Sequence, residues 1–268
     1  MDPGFRRDDR VGKRTGRTRT PMEWRDTGFV LAGRRHGESG LIVELLTSEH
    51  GRHAGLVRGG QSPRRRALLQ PGNAVAASWR GRLPEHLGTL ECELTAAHAA
   101  RFLDDPDRLA ALGAATALLL ASVPEREPHR DLYLSFAGLI GALDSADAWA
   151  QAYVGWECGL LAALGFGLDL GRCAATGTTD ELAYVSPRSG RAVSRGAGRP
   201  YHDKLLPLPE FLWREAPAGP ADIVDGLVMT QYFLLHHVLS PHGLRLPDAR
   251  ERLLERMRRL AVPGIMDG

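Results

Sequence analysis

Short runs in which apolar and polar residues alternate fill positions 22–98 of the chain. They cover residues 27–35, 40–47, 51–58, 73–79 and 88–94. Alternation with many β-branched residues is typical of β-strands, because successive side chains of a strand point to opposite faces. Glycine, proline and serine separate the runs, as is usual for turns. Five short strands in one stretch of the chain predict a small β-barrel.

From residue 99 onward, the apolar positions change to the spacing of amphipathic helices. Predicted helices cover residues 108–123, 130–143, 147–164, 222–239 and 250–260. The Asp-Asp-Pro-Asp run at 104–107 is a helix start signal, and Gly165 is a stop signal. We expect the aromatic residues Tyr133, Phe136, Trp149, Tyr153 and Trp156 to pack helix against helix. The predicted fold class is α+β and multidomain, with a β-barrel followed by an α-helical domain.

A run of arginines lies between the third and fourth predicted strands, where glycines and prolines indicate an exposed loop. A guanidinium group is permanently charged and its planar donors match phosphate oxygens, so this loop is a candidate contact for a nucleic-acid backbone. The alternative is a solvated charged loop. Further arginines fall at predicted strand ends and turns. The candidate DNA-binding residues are Arg34, Arg35, Arg52, Arg58, Arg64, Arg65, Arg66, Arg80 and Arg82. The OB-fold is a five-stranded barrel that binds oligonucleotides, but a barrel without a ligand would show the same strand pattern.

The net charge of +2 conceals an uneven distribution. Residues 1–21 carry seven basic and three acidic side chains, which leaves 27 basic and 29 acidic residues in the rest of the chain. Any anion-binding surface of the body must therefore be a local patch. The tail has few apolar residues and is expected to be disordered. Because Met22 opens the first structured run, we expect the tail to lie upstream of the natural start; a non-specific DNA-binding arm is the alternative.

Several classes of function find no support in the sequence. The three scattered cysteines are too few for a disulfide framework and fit a reducing cytoplasm. The apolar runs are shorter than the roughly 20 residues needed to cross a bilayer. The sequence contains no P-loop, no Gly-x-Ser-x-Gly motif, no His-Glu-x-x-His motif and no metal-ligand cluster. We therefore expect a cytoplasmic protein without membrane association, catalytic residues or cofactor.

Four motifs follow one another along the chain: Val57-Arg-Gly-Gly, Leu69-Gln-Pro-Gly, Leu164-Gly-Phe-Gly-Leu-Asp-Leu-x-x-Cys and Ser186-Pro-x-x-Gly. In this order and spacing they resemble the RecO family of recombinational DNA repair proteins, over roughly residues 22–260. The resemblance implies an OB-fold at residues 22–98, a helical domain at 99–172 and an inserted zinc-ribbon-like loop at 173–203. C-terminal helices at 204–268 would complete the helical domain.

In many members of that family, two Cys-x-x-Cys pairs hold zinc in the inserted loop. Here Cys173 aligns with the first ligand, but Thr176, Ser194 and Ala197 stand at the other three positions. Tetrahedral zinc needs four thiolate or imidazole ligands, which this set does not supply, and we expect His202 to be a surface residue. The prediction is a degenerate ribbon without metal, either a mobile loop or a ribbon held by packing.

The resemblance also implies a function, that of a recombination mediator without catalytic activity. Such a protein binds single- and double-stranded DNA, anneals complementary strands and helps load RecA. The implied partners are RecR and the acidic C-terminal tail of single-stranded-DNA-binding protein. We expect that tail to bind where the helices of Arg108 and Arg130 meet. Two alternatives stay open: a helical interaction adaptor whose barrel scaffolds RecR without touching DNA, and an RNA-binding OB protein.

Overall fold

The computed structural model describes residues 22–83, 86–145 and 147–262. The predicted basic tail, residues 1–21, lies outside the described residues. The barrel strands are β1 (Met22–His36), β2 (Gly40–Thr47), β3 (Gly51–Val57), β4 (Ala74–Gly81) and β5 (Thr89–Ala96), with a short helix α1 (Pro63–Leu68) between β3 and β4. All five predicted strands are present, and β1 begins at Met22 instead of residue 27.

The five strands close into a barrel in the order β1-β2-β3-β5-β4, so that β4 returns to pair with β1. Neighbouring strands are antiparallel except β3 and β5, which run parallel and meet at Leu56 and Thr89. The long β1 pairs with β4 through its first half and with β2 through its second half. Alternate positions fill the interior with Val30, Leu41, Val43, Leu45, Val57, Val75, Trp79 and Leu90.

The rest of the chain is mainly helical. Its helices are α2 (His98–Arg101), α3 (Pro106–Ser122), α4 (Arg130–Ser145), α5 (Trp149–Ala163), α6 (Arg195–Gly198), α7 (Pro220–Phe233) and α8 (Asp248–Ala261). A π-helix, Leu234–Leu239, continues α7. Asp105 caps α3 by accepting the backbone N–H groups of Asp107 and Arg108, as the start signal predicts. Within the described part of the chain, no helix is long and apolar enough to span a membrane.

Apolar and aromatic side chains join the helices to one another and to the barrel. Phe136, Tyr153 and Trp156 are buried in one core, as the sequence predicts. Phe29 of β1 enters the same core and packs edge-on against Phe136, with 5.1 Å between ring centroids. The Tyr133 hydroxyl lies 3.1 Å from Thr27 Oγ1 and donates to it. The outer face of β1 is therefore part of the contact between barrel and helices.

A fully buried ion pair lies among α5, α7 and α8. Arg250 Nε donates to Glu157 Oε1 (2.5 Å), and its Nη2 donates to Glu157 Oε2 (2.9 Å) and to the carbonyl of Leu227 (2.8 Å). The hydroxyl of Thr230 donates to the same carboxylate. Both charged side chains are 0% exposed. Burial alone would lower the pKa of Arg250, but the charge of Glu157 raises it above its usual value.

The segment predicted as a degenerate ribbon is folded into a small sheet. Its strands β6 (Leu182–Val185), β7 (Ala192–Ser194) and β8 (Leu206–Pro207) are arranged in the order β7-β6-β8. Leu182, Val185 and Ala192 are buried in the core that the helices share. The segment is therefore packed against the helical core and is not a loose loop, and its sheet includes β8, which lies just after the predicted bounds.

Candidate nucleic-acid interface

Six exposed arginines, which we call the arginine edge, gather at one end of the barrel. They are Arg34 and Arg35 near the end of β1, Arg58 directly after β3, and Arg64, Arg65 and Arg66 of α1. The ion pairs found among the described residues involve other arginines. The guanidinium groups of the arginine edge are therefore available to an anionic ligand.

The side chain of Gln61 fastens together the two parts of the chain that carry the arginine edge. Its Nε2 donates to the carbonyls of Gly37 (3.0 Å) and Gly40 (2.9 Å) in the β1–β2 turn. Gly60 packs so closely on this turn that a Cβ there would lie 2.6 Å from Leu41 Cβ. The loop after β3 thus lies directly on the β1–β2 turn.

The arginine run itself is helical, although the sequence predicts an exposed loop. Pro63 suits the first turn of α1, because the N–H that proline lacks would have no partner inside the helix. Successive helix residues are rotated by about 100°, so Arg64, Arg65 and Arg66 fan out, and all three are exposed. Arg65 Nη1 donates to the carbonyl of Arg58 (2.8 Å), which holds α1 against the end of β3.

Arg80 and Arg82 form a second basic group where β4 ends. Arg80 Nη2 lies 2.8 Å from Glu23 Oε2, and both side chains are exposed. An exposed ion pair of this kind contributes only about 0–1 kcal/mol, so a phosphate group can replace the carboxylate. Arg82 is exposed and lines a shallow cavity of about 320 Å³ together with Arg80.

Arg52, another predicted contact, faces the helices instead of an open surface. Its Nε donates to the carbonyl of Val123 (2.7 Å), and its Nη1 donates to Glu44 Oε2 (2.9 Å). Its Nη2 lies 3.5 Å from Glu125 Oε1. The N–H of Arg126 donates to the Arg52 carbonyl (2.7 Å). These bonds fasten β3 to the segment between α3 and α4, so Arg52 is a structural contact between the barrel and the helices.

A groove of about 670 Å³ crosses the outer face of β1, β4 and β5 beside the arginine edge. Arg58 and Arg65 line it, and so does Arg25, which the sequence analysis did not select. Glu91 and Glu93 of β5 add carboxylates to the same groove. The apolar Trp24 between the polar Glu23 and Arg25 is the sequence signal that would have identified Arg25 as an outward position.

The aromatic rings of the barrel pack against other rings of the protein and are not free for base stacking. Trp79 is 1% and Phe29 is 5% exposed. Trp24 stacks on His50 with 4.3 Å between ring centroids. Burial, with smaller contributions from neighbouring positive charges, lowers the pKa of the adjacent His53 to about 4. A nucleic acid bound here would therefore be held mainly through its phosphates.

The two arginines predicted for partner binding lie apart. Arg108 Nη1 donates to the carbonyl of Leu143 (2.7 Å), near the last turn of α4. Arg130 is the first residue of α4 and forms an ion pair with Glu49 of the barrel. A helix of 16 residues is about 24 Å long at 1.5 Å per residue, so the two guanidinium groups are at opposite ends of α4. They do not form one basic rim.

The residues at the four expected zinc positions do not fit a metal ion. Ser194 N–H donates to Cys173 Sγ (3.2 Å). Burial by itself would raise the pKa of the Cys173 thiol, but hydrogen bonds from Ser194 and Thr176 outweigh it and lower that pKa to about 6. Across the described ranges, no group of three or more His, Cys, Asp and Glu side chains is placed to bind a metal ion. The Cys173 sulfur therefore accepts hydrogen bonds from its neighbours, whereas a structural zinc site would need four ligands at these positions.

Both parts of the chain match known domains of recombination proteins. The family model described as Recombination protein O N terminal matches residues 22–98, and the one described as Recombination protein O C terminal matches residues 103–246. These matches place the chain among the proteins of recombinational DNA repair.

Curated relatives agree with this assignment along nearly their whole length. The DNA repair protein RecO of Rhodospirillum rubrum is 54% identical over 245 residues, covering 89% of this chain and 97% of the relative. That of Rhodospirillum centenum is 53% identical over 240 residues, covering 89% and 96%. That of Phenylobacterium zucineum is 50% identical over 238 residues, covering 88% and 98%. The chain belongs to the RecO family of DNA repair proteins, which confirms the resemblance seen in its motifs.

Proposed function

We propose that this protein is a recombination mediator without catalytic activity, and that its barrel is an OB-fold that binds single- and double-stranded DNA. The observation that carries the proposal is the arginine edge, in which Gln61 fastens arginines from two parts of the chain at one end of a five-stranded barrel. OB-folds bind oligonucleotides with one face and the loops beside it. The β1–β2 turn and the β4–β5 connection, with Arg80 and Arg82, are loops of this kind.

The arginine edge would act on the sugar-phosphate backbone. Each guanidinium group that contacts a phosphate releases condensed counterions, so binding is strong at low salt and largely independent of sequence. Annealing then requires no bond chemistry. Two complementary strands repel each other through their phosphates, and arginines that neutralise one strand allow the second strand to approach and pair.

Within this proposal the protein works on DNA that is already covered by single-stranded-DNA-binding protein. It would engage the acidic C-terminal tail of that protein, act together with RecR and help load RecA. Membership of the RecO family supports these partners. Because Arg108 and Arg130 lie at opposite ends of α4, a site for the tail would include one of them at most.

The test is annealing of complementary oligonucleotides coated with the cognate single-strand binder, measured over a salt series. The variant replaces Arg64, Arg65 and Arg66 with alanine. A matched control replaces Arg172, Arg188 and Arg199, which are exposed and lie outside the barrel, so both variants lose the same charge. We expect only the α1 variant to anneal slowly. Its salt slope for single-stranded DNA should fall by about 2, since each lost phosphate contact removes about 0.7.

Each alternative function predicts a different result. An interaction adaptor would show no annealing activity, and DNA affinity would not respond to either triple variant, while RecR binding would persist. An RNA-binding protein would prefer an RNA oligomer when DNA and RNA compete for the barrel. Equal behaviour of the two triple variants would refute the role of the arginine edge.

A further inference from the structure

The faces of the barrel differ in how far the helices cover them. On β2 and β3, Arg52 is bonded to Val123 and Glu125, and Gly51 lies so close to the next segment that a Cβ would be 2.0 Å from the Glu127 carbonyl oxygen. Phe29, Leu31 and Leu46 of β1 and β2 are buried in the core of the helical domain. The face of β2 and β3 with which OB-folds usually bind oligonucleotides is therefore partly occupied by the protein itself.

The groove over β1, β4 and β5 remains open, and strand register explains its shape. One row across the three strands contains Arg25, Ser78 and Glu91, and the next contains Thr27, Ala76 and Glu93. The central strand thus contributes small side chains between longer ones. Because neighbouring strands lie about 4.8 Å apart, Arg25 and Glu91 face each other across about 10 Å.

The acidic side chains of this groove lie between its basic ones. Arg25 of β1 lines one flank, and β5 contributes Glu91 and Glu93. Arg58 and Arg65, which also belong to the arginine edge, follow β3, the strand on the other side of β5. Carboxylates repel phosphates but accept hydrogen bonds from amino groups of bases. Cytosine presents its N4 amino group, which Glu and Asp bind in nucleic-acid complexes, whereas thymine presents the O4 acceptor at the same place. The groove floor at Cys92 stays uncharged, because burial raises the pKa of this thiol to about 12.

We infer that one DNA strand crosses the groove of β1, β4 and β5 from Arg25 to Arg58 and Arg65, with phosphates on these arginines and with the bases between them against Glu91 and Glu93. The groove therefore favours cytosine over thymine. This inference rests on the proposed function and specifies it further: backbone contacts provide most of the affinity, and two carboxylates add a preference among the bases.

The experiment compares the affinities of short oligo-dC and oligo-dT by fluorescence anisotropy, at slightly alkaline pH and over a salt series. The protein as it stands should bind oligo-dC about fivefold more tightly, since one additional base contact is worth about 1 kcal/mol. Replacing both Glu91 and Glu93 with alanine should raise affinity for both oligonucleotides and bring their ratio close to one. Replacing both Glu251 and Glu255, exposed charges of α8 outside the barrel, is the matched control and should leave the ratio unchanged.

A second variant tests the phosphate contacts of the groove. Arg25→Ala should weaken binding of both oligonucleotides and lower the salt slope by about 0.7, whereas Arg172→Ala should do neither. Circular dichroism confirms that each variant is folded. Equal affinity for oligo-dC and oligo-dT, or unchanged binding by Arg25→Ala, would overturn the inference. If the alanine variant of Arg64, Arg65 and Arg66 still loses affinity in that case, the proposed function stands and only the groove is excluded.

Discussion

Replacing Arg250 with methionine should be among the most damaging single changes in the helical domain. The guanidinium provides two hydrogen bonds to Glu157 and one to the Leu227 carbonyl, and neither charged side chain is exposed. Without Arg250, the buried Glu157 carboxylate keeps the Thr230 hydroxyl as a hydrogen-bond donor but has lost its counter-charge. Breaking a buried pair by removing one partner destabilises proteins by about 3–5 kcal/mol, because it leaves an unpaired buried charge.

This loss is large compared with the total stability of a typical domain, which is about 5–15 kcal/mol. For a chain of this size, about 1 kcal/mol corresponds to a shift of about 2–4 °C in Tm, so we expect a decrease of about 10 °C. The assay is urea denaturation of the full chain followed by circular dichroism, with thermal unfolding as a second measurement. DNA affinity at low temperature should be unchanged, because the pair lies outside the barrel.

The double variant Glu157→Leu with Arg250→Met separates the cost of an unpaired charge from the cost of lost packing. Replacing a buried ion pair by apolar residues is often neutral or stabilising. The double variant should therefore recover most of the stability that Arg250→Met loses. A loss below about 1 kcal/mol for Arg250→Met, or additive losses in the double variant, would refute this account of the pair.

Three further predictions concern other parts of the fold. His53 has a pKa of about 4 in the folded chain against a usual value of 6.5. Between pH 4 and pH 6.5 this imidazole is therefore protonated in the unfolded chain but neutral in the folded chain. Stability should therefore be complete above about pH 6.5 and fall by about 3 kcal/mol as the pH approaches 4, and urea denaturation of His53→Leu should lack this decrease. The pKa of Cys173 is lowered to about 6 from 9.0, so stability should rise from pH 6 to pH 9 in the native chain and not in Cys173→Ala; an equal rise in both would contradict the role of its hydrogen bonds. Gly51 has φ +66° and contacts the Glu127 carbonyl, so Gly51→Ala should lower the thermal midpoint by several degrees and Gly37→Ala, where φ is +58° but no atom lies within 4 Å, by less.

The sequence predicts the barrel well because its strands carry two independent signals. Alternating apolar positions define the inward face, and glycines mark the turns; β2 accordingly has the predicted bounds, Gly40–Thr47. The early start of β1 escaped prediction because Met22 to Asp26 is largely polar and exposed, with only Trp24 directed toward the core. The helical state of the arginine run was also missed, although Pro63 after Ser62 is a start signal for a helix.

Contacts between distant residues explain the remaining differences. In the sequence, Arg250 occupies a polar position of an amphipathic helix, which the pattern predicts to point outward. Its partner Glu157 lies 93 residues away, so the pattern of the helix gives no sign of the pair. In the sequence, Arg52 cannot be distinguished from other arginines at strand ends. Its structural role appears only when the chain between α3 and α4 packs against it. The separation of Arg108 and Arg130 likewise depends on how α3 packs along α4. Such pairings arise from tertiary structure and leave no periodic trace in the sequence.

The hydrogen bonds of Gln61 have an energetic consequence for the whole barrel. They hold like charges together in the absence of a ligand, so the free protein contains electrostatic repulsion that folding has to overcome. If the protein has the proposed function, a nucleic acid would relieve this repulsion as it binds, because its phosphates would act as the missing counter-ions. The barrel should consequently become more resistant to heat when DNA is added, and salt should stabilise the free protein while it weakens the complex.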